Sequence, residues 1–146
     1  MLPAFDPSGD LPPGIHWATW IEIEARFGSS PYRGSLLRGL KSALDALRAA
    51  GCQTAYVDGS FVTAKALPGD YDACWDPSGV DLSKLDPVLL TFDPGRVTQK
   101  LKYGGELFPS TAAADAAGSV FLDFFQVNKD TGVDKGIVAI DLRGLP

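Results

Sequence analysis

Hydrophobic residues recur at helical spacing between residues 34 and 50, which makes this segment the clearest helix of the chain. Five leucines fall on one stripe: Leu36, Leu37, Leu40, Leu44 and Leu47. Charged residues occupy the other faces, so the pattern predicts an amphipathic helix with its leucines on a core. Gly51 follows at the position where glycine commonly ends a helix. A shorter amphipathic helix is predicted over residues 17–27.

Short apolar runs between the helices predict the strands of a sheet. Four segments are predicted as strands: residues 52–58, 71–75, 106–108 and 136–142. Short helices are predicted over residues 60–65, 81–91 and 94–103. Residues 120–127 are rich in Phe and fit either a buried strand or a helix, because a short apolar run does not reveal its own period.

The alternation of helices and strands assigns the chain to the α/β (α+β) class, with helices flanking a mixed β-sheet. Residues 1–14 carry four prolines and two glycines. They are predicted to form an extended arm that either wraps the domain or docks on a partner. Residues 15–146 are predicted to form a single domain, since 146 residues are enough for one core.

The charge balance narrows the classes of function. The net charge is −5, with 18 acidic and 13 basic residues, which argues against a sequence-independent nucleic-acid binder. Four basic residues are interpreted as solvated surface charges in preference to a phosphate-facing groove: Lys65, Arg96, Lys100 and Lys102. The start of the chain lacks a basic and apolar leader, and no apolar run reaches the length of a membrane span. We therefore expect a cytoplasmic protein with no membrane partner.

The cysteine and histidine residues provide no evidence for a metal site or a catalytic site. Cys52 and Cys74 belong to no C-x-x-C pair or Cys/His cluster, so they are interpreted as free buried thiols rather than zinc ligands. His16 is the single histidine and lies beside Trp17. It is interpreted as structural, and mechanisms that need two imidazoles are excluded.

The segment between residues 56 and 75 combines features that suit a nucleotide and a metal. Gly59 and Ser60 follow a predicted strand and precede a predicted helix, whose free backbone N–H groups can hold phosphate. Asp70 and Asp72 are two residues apart on a predicted strand, so their side chains point the same way and can share a divalent cation. Asp58 is interpreted as a strand-end residue that caps or pairs locally.

Gly59-Ser60, followed after nine residues by Asp70-Tyr71-Asp72, resembles the signature of the polymerase-β-like nucleotidyltransferase superfamily. The resemblance spans about residues 34–108, where the order of helix and strands is similar to that of the minimal members of the superfamily. It implies a nucleotidyltransferase-like fold. The chain resembles small prokaryotic and phage members, some of which occur in toxin–antitoxin and defence systems.

The resemblance also implies roles for particular residues. Gly59 and Ser60 would hold the terminal phosphates of an NTP, and Asp70 and Asp72 would bind Mg²⁺ or Mn²⁺. A third carboxylate usually comes from a neighbouring strand, where it helps to hold the catalytic metal. Two residues are candidates: Glu106, which we prefer, and Asp123, which has apolar neighbours on both sides.

One position departs from the family pattern. The residue after the Gly-Ser pair is often arginine or another polar group in the minimal members, but here it is Phe61. Thr63 or Lys65 would have to replace that group, and Lys65 would act as a point charge on a phosphate.

The expected function is metal-dependent transfer of a nucleoside monophosphate from an NTP to a hydroxyl of a protein, an RNA such as tRNA, or a small molecule. The alternative is a non-catalytic module that keeps the fold and binds a toxin, antitoxin or other partner protein. The aromatic residues Phe121, Phe124 and Phe125 are interpreted as core or partner surface in preference to a base-stacking platform.

Overall fold

A five-stranded mixed sheet organises the chain, which the computed structural model describes over residues 1–146. The strands are β1 (Gly14–Trp17), β2 (Thr54–Asp58), β3 (Tyr71–Trp75), β4 (Gly105–Pro109) and β5 (Gly136–Asp141). Their order in the sheet is β1-β5-β2-β3-β4. The β1–β5 and β3–β4 pairs are parallel, whereas β2 runs antiparallel to both β5 and β3. The predicted α/β class with a mixed sheet is confirmed.

Four α-helices accompany the sheet: α1 (Trp20–Phe27), α2 (Pro31–Ala49), α3 (Val97–Tyr103) and the single turn α4 (Phe121–Phe124). Single 3-10 turns cover Ser60–Val62, Pro87–Leu90, Pro94–Arg96 and Leu142–Gly144. None of these helices combines the length and the apolar character that crossing a membrane requires.

Helix α2 begins three residues before the predicted start. The Ser30 side chain accepts a hydrogen bond from the backbone N–H of Arg33, and Pro31 occupies the first turn, where its missing N–H costs nothing. Leu40, Leu44 and Leu47 are fully buried on one stripe, as the leucine pattern predicts.

The two faces of the sheet are covered unequally. Residues that alternate along the strands put Val57, Ala73 and Leu107 into the main core of 27 buried residues, together with the α2 leucines. The opposite face carries a second cluster of only three buried residues: Cys74, Phe125 and Ile137. Phe121 and Leu122 pack against this cluster, and Asp72 and Glu106 at the strand ends are half-buried.

The largest difference from the sequence-based prediction is β1. Residues 14–17 form an edge strand paired with β5, and the helix predicted from residue 17 begins at Trp20, with Thr19 as its cap. Three of the four β1 residues are exposed. An exposed edge strand lacks the apolar alternation by which a strand is recognised in sequence. Its extended conformation depends on pairing with the neighbouring strand.

The weaker predicted helices are also shorter or broken. Residues 60–65 contain only the 3-10 turn Ser60–Val62, and residues 81–91 contain only Pro87–Leu90. In residues 94–103, Gly95 and Arg96 have positive φ values of 68° and 51°, which separate the first turn from α3. Residues 120–127 resolve as the α4 turn rather than a strand.

Residues 1–13 contain no helix or strand, and they wrap the domain. Leu2 and Leu11 are buried in the main core, and the Arg26 guanidinium donates to the backbone carbonyls of Leu2 and Pro3. Gly14, assigned to the arm by the sequence, belongs to β1.

Candidate functional site

Three carboxylates stand side by side across the central strands. Asp58 on β2 is paired in register with Asp72 on β3, and Asp72 is paired in register with Glu106 on β4. Residues paired in this way on neighbouring strands project from the same face of a sheet. The sheet therefore brings Asp72 next to Glu106, the preferred third acid, and adds Asp58, which the sequence assigned to a local role.

Asp70 lies one residue before β3 rather than within it. Its Oδ2 is 3.9 Å from Nζ of Lys100, which also lies 3.3 Å from Oε1 of Glu106. The Lys100 ammonium thus lies between the two carboxylates. Arg96 donates a further pair of hydrogen bonds to Glu106 Oε1, at 3.1 and 3.2 Å. With Lys65, which lines the cavity described below, three of the four basic residues interpreted as surface charges are part of the site.

The turn at Gly59 is shaped for close approach. Gly59 has φ 87° and ψ −176°, a combination that is essentially restricted to glycine. A Cβ at this position would lie 3.0 Å from Oδ2 of Asp72. Because Gly59 has no side chain, the backbone of the turn can pack directly against the Asp72 carboxylate. Downstream, the Thr63 hydroxyl donates to the Ser60 carbonyl at 2.6 Å and accepts from the Lys65 N–H at 3.2 Å, which folds the loop on itself.

Arg33 holds this loop from behind. Its guanidinium is buried and donates to the backbone carbonyls of Phe61 at 2.7 Å and Thr63 at 3.0 Å, and also to that of Lys65. Its partners are carbonyl groups rather than carboxylates. Burial accordingly lowers the pKa of Arg33 from its ordinary value. A cation fixed beneath the loop makes the potential there more positive, which favours an anionic ligand.

Burial dominates the electrostatics of the acids, and repulsion between neighbouring carboxylates adds to it. Burial and the charges of Asp70, Glu106 and Asp58 raise the pKa of Asp72 to about 7. Burial also raises the pKa of Asp70, against the opposing effect of Lys100. Titratable groups with such shifted pKa values are concentrated at functional sites in proteins.

Asp58 has a partner of its own. It is 5% exposed, and its Oδ1 is 2.9 Å from Nζ of Lys135. Burial raises the pKa of Asp58 from its ordinary value, and the Lys135 ammonium opposes that effect. This ion pair ties the end of β2 to the residue before β5.

A cavity of about 490 Å³ opens above these groups. Its walls include six residues singled out from the sequence: Gly59, Ser60, Thr63, Lys65, Asp70 and Asp72. The cavity walls do not include Glu106, which lies on the strand beyond Asp72. The segment from Phe124 to Lys135 also lines the cavity, as does Asp10 of the arm.

Asp123, the alternative third acid, is placed elsewhere. It belongs to the α4 turn, not to a strand, and it is exposed. It lines a separate cavity of about 250 Å³ with Asp134 and Lys135. A one-turn helix rotates successive side chains by about 100°, so the apolar neighbours of Asp123 do not carry it to the sheet.

Sequence reasoning missed several residues of the site. Asp58 had a usable signal, because it directly precedes Gly59 and ends a predicted strand. Arg33 had none, since it reaches the site through tertiary packing from a distant part of the chain. Lys135 lies in the turn of residues 128–135, which the sequence favours as a plain hairpin loop over a source of substrate contacts. The remaining sequence interpretations fit their surroundings: Cys52 and Cys74 are buried and unpaired, and the His16 ring contacts the Pro12 carbonyl at 2.6 Å.

The donor chemistry of the site suits a hard divalent cation. Asp70, Asp72 and Glu106 offer only carboxylate oxygens, the ligands that Mg²⁺ prefers. The pKa of Asp72 is raised by burial and by neighbouring negative charges, and a cation would compensate those charges. No group of three or more His, Cys, Asp or Glu side chains is arranged to hold a metal ion in this structure.

Comparisons with known proteins identify the family to which the chain belongs. No match to a curated protein or to a solved structure was found. The pattern that defines a family of unknown function, DUF6932, matches residues 3–141. The match includes the arm from residue 3 onward, all five strands and every residue of the cavity wall. The chain therefore belongs to the DUF6932 family.

Proposed function

We propose that the chain is a metal-dependent nucleotidyltransferase. It would move the nucleoside monophosphate of an NTP to a hydroxyl of a protein, an RNA such as tRNA, or a small molecule, in the cytoplasm. The observation that carries the proposal is the position of Asp72, in register with Glu106 and in contact with the Gly59 turn. Phosphoryl-type transfer depends on positioning and charge compensation, which a glycine turn beside carboxylates can provide.

In the proposed reaction the acceptor hydroxyl oxygen attacks the α-phosphorus of the NTP. The bond from that phosphorus to the bridging oxygen breaks, and pyrophosphate leaves with the electron pair. Backbone N–H groups at Gly59 and Ser60 would hold the terminal phosphates, with Lys65 adding positive charge. Asp70 and Asp72 would hold Mg²⁺ or Mn²⁺, which offsets the charge of the phosphates. Glu106, beside Asp72, would complete the metal shell and assist deprotonation of the attacking hydroxyl.

The alternative is a module that keeps the site without catalysis, such as an antitoxin or a regulatory partner protein. One observation favours it. Glu106 is engaged by both Arg96 and Lys100, so its carboxylate is already compensated by protein cations. In this case the chain would bind Mg²⁺ and NTP, or a partner protein, and transfer nothing.

Transfer assays separate the two proposals. The chain is incubated with Mg²⁺, each labelled NTP in turn, and fractions of cell extract that contain protein, tRNA or small molecules. The enzyme proposal expects label on one acceptor class, together with pyrophosphate release. The double variant Asp70→Asn/Asp72→Asn is expected to lower the rate by about 100-fold or more, because the phosphate charge is then uncompensated.

Asp123→Asn is the matched control, since it removes one carboxylate charge outside the cavity. It is expected to leave the rate unchanged, whereas Glu106→Gln is expected to lower it. Metal-dependent NTP binding without transfer to any fraction would favour the non-catalytic module. Absence of both transfer and metal-dependent NTP binding would overturn the proposed activity.

A further inference from the structure

The cavity has two chemically different walls. One wall is polar and consists of the Gly59 turn, its loop and the acids. The other wall is formed by the segment from Phe124 to Lys135 and contains all three hydrophobic residues of the cavity, Phe124, Phe125 and Val127. These three residues lie within four consecutive positions of the chain, next to the polar residues of the same segment.

Phe124 is the aromatic ring of this wall that remains accessible. It is 37% exposed, whereas Phe125 is buried in the second core cluster. Elsewhere in the aromatic cluster, rings stack on one another: Phe108 and Phe121 lie 4.1 Å apart at 5°, and Phe92 and Phe108 lie 5.8 Å apart at 13°. Phe124 stands outside that stack and meets Phe121 at 80°.

The segment that carries this wall is held in place. The Lys135 N–H donates to the Gln126 carbonyl at 2.8 Å, and the Asn128 N–H donates to the Val133 carbonyl at 2.8 Å, forming a small hairpin. The Asn128 side chain accepts from the N–H groups of Asp130 and Thr131. The Phe124 N–H itself donates to the Val120 carbonyl at 2.9 Å, so the backbone that carries this ring is held without a ligand.

A ligand that fills both walls must combine an apolar flat group with a polyanion. Inorganic polyphosphate would satisfy the polar wall and leave Phe124 in contact with water. A nucleotide satisfies both, because its base has a flat apolar face and its phosphates are charged. A volume of about 490 Å³ lies within the range of small-molecule sites.

We infer that Phe124 is the stacking surface for the nucleobase, and that the cavity takes nucleoside triphosphates of either purine or pyrimidine type. Every base has a π-face, so a single aromatic ring binds all of them with little selectivity. The inference rests on the proposed function, whose phosphate site it extends. It also separates Phe124 from Phe121 and Phe125, with which the sequence grouped it as core or partner surface.

Calorimetric titration with three probes in the presence of Mg²⁺ tests the inference: ATP, UTP and inorganic tripolyphosphate. The wild-type chain is expected to bind both nucleotides more tightly than tripolyphosphate. Phe124→Ala is expected to weaken ATP and UTP binding by about tenfold or more and to leave tripolyphosphate binding unchanged. Phe124→Trp, which keeps an aromatic face, is expected to retain nucleotide binding.

Phe92→Ala is the matched control. Phe92 is 48% exposed in the same aromatic cluster but does not line the cavity, so all three affinities are expected to stay unchanged. The inference alone is overturned if Phe124→Ala leaves nucleotide binding intact, or weakens tripolyphosphate by the same factor. If the wild-type chain binds none of the three probes, the proposed function fails and the inference fails with it.

Discussion

At the scale of single residues, the acids of the site lower the stability of the folded chain near neutral pH. Asp72 is surrounded by three other carboxylates, and its pKa is raised from 3.8 to about 7. A raised pKa means that the folded state prefers the protonated form, so this group stabilises the fold most at low pH. The stability is lost progressively as pH rises from the unfolded value toward the folded value. Near neutral pH, Asp72 therefore destabilises the protein free of metal.

Asp72→Asn is expected to stabilise the chain in the presence of a metal chelator, since the amide has the same shape and no charge. The stabilisation is expected to grow by about 2 to 3 kcal/mol between pH 5 and pH 8, because over most of that interval the wild-type carboxylate is ionised in the unfolded state but still protonated in the folded state. Urea unfolding at both pH values measures the change. Asp123→Asn, exposed and outside the site, is expected to show no such growth. A stabilisation independent of pH would contradict the assigned pKa.

The residues of the site differ in how visible they are in sequence. Gly59, Ser60, Asp70 and Asp72 lie within 14 residues of one another, so their pattern can be recognised without a structure. Arg33 contacts the Phe61 carbonyl across 28 residues of chain. Nothing near Arg33 distinguishes it from the other charged residues of α2. Its role depends on helix α2 packing behind the loop, which only the tertiary structure determines.

At the scale of elements, α2 determines where the strand of Glu106 lies. Gly39 is on the face of α2 that meets the end of α3, where an added Cβ would lie 2.0 Å from the Tyr103 carbonyl oxygen and 2.8 Å from its carbon. Both are backbone atoms, so the neighbour cannot turn aside as a side chain would. Tyr103 directly precedes the Gly104-Gly105 entry to β4. Glycine at position 39 thus permits the approach that places Glu106 beside Asp72.

Two glycines of the same helix should therefore respond to alanine with opposite signs. Gly34→Ala is expected to stabilise the chain by about 0.5 to 1 kcal/mol, because alanine is the better helix former and the nearest atom to the new Cβ is a flexible Arg38 nitrogen 3.8 Å away. Gly39→Ala is expected to destabilise it by about 2 kcal/mol or more through backbone displacement. Chemical denaturation of both variants gives the two values. Equal effects would show that helix propensity alone acts at these positions.

Element prediction succeeded where the element creates its own signal. Helix α2 has a cap, a first-turn proline and a leucine stripe, and β5 is an apolar run with five of its six residues buried. Strand β1 has neither signal, since its stability comes from pairing with β5. The break before α3 depends on Arg96 adopting φ 51°, a conformation unusual for a residue with a side chain. Because local helix propensity favours a continuous helix through Arg96, the sequence does not predict the break.

At the scale of the whole molecule, the arm joins parts that the sheet alone does not connect. The Gly9 carbonyl accepts from the Ala64 N–H at 2.9 Å in the loop after the Gly59 turn, and the Leu11 carbonyl accepts from the Gly136 N–H at 3.0 Å at the start of β5. Between them, Asp10 reaches the rim of the cavity. Chain termini are usually poorly ordered unless they are tied down in this way. The arm thus bridges the two walls of the proposed nucleotide site.

Leu11 provides the test of that arrangement, because its side chain is 1% exposed within the main core. If the arm folds cooperatively with the domain, Leu11→Ala should cost about 2 to 5 kcal/mol in the free energy of unfolding, the usual range for a buried leucine. The same substitution at Leu82, which is 61% exposed, should change it by less than about 0.5 kcal/mol. Urea denaturation measures both. An arm that frays independently would instead give a small loss at Leu11, since the core would already be lacking that side chain when the domain unfolds. Such a result would mean that the rim of the cavity opens without unfolding the sheet.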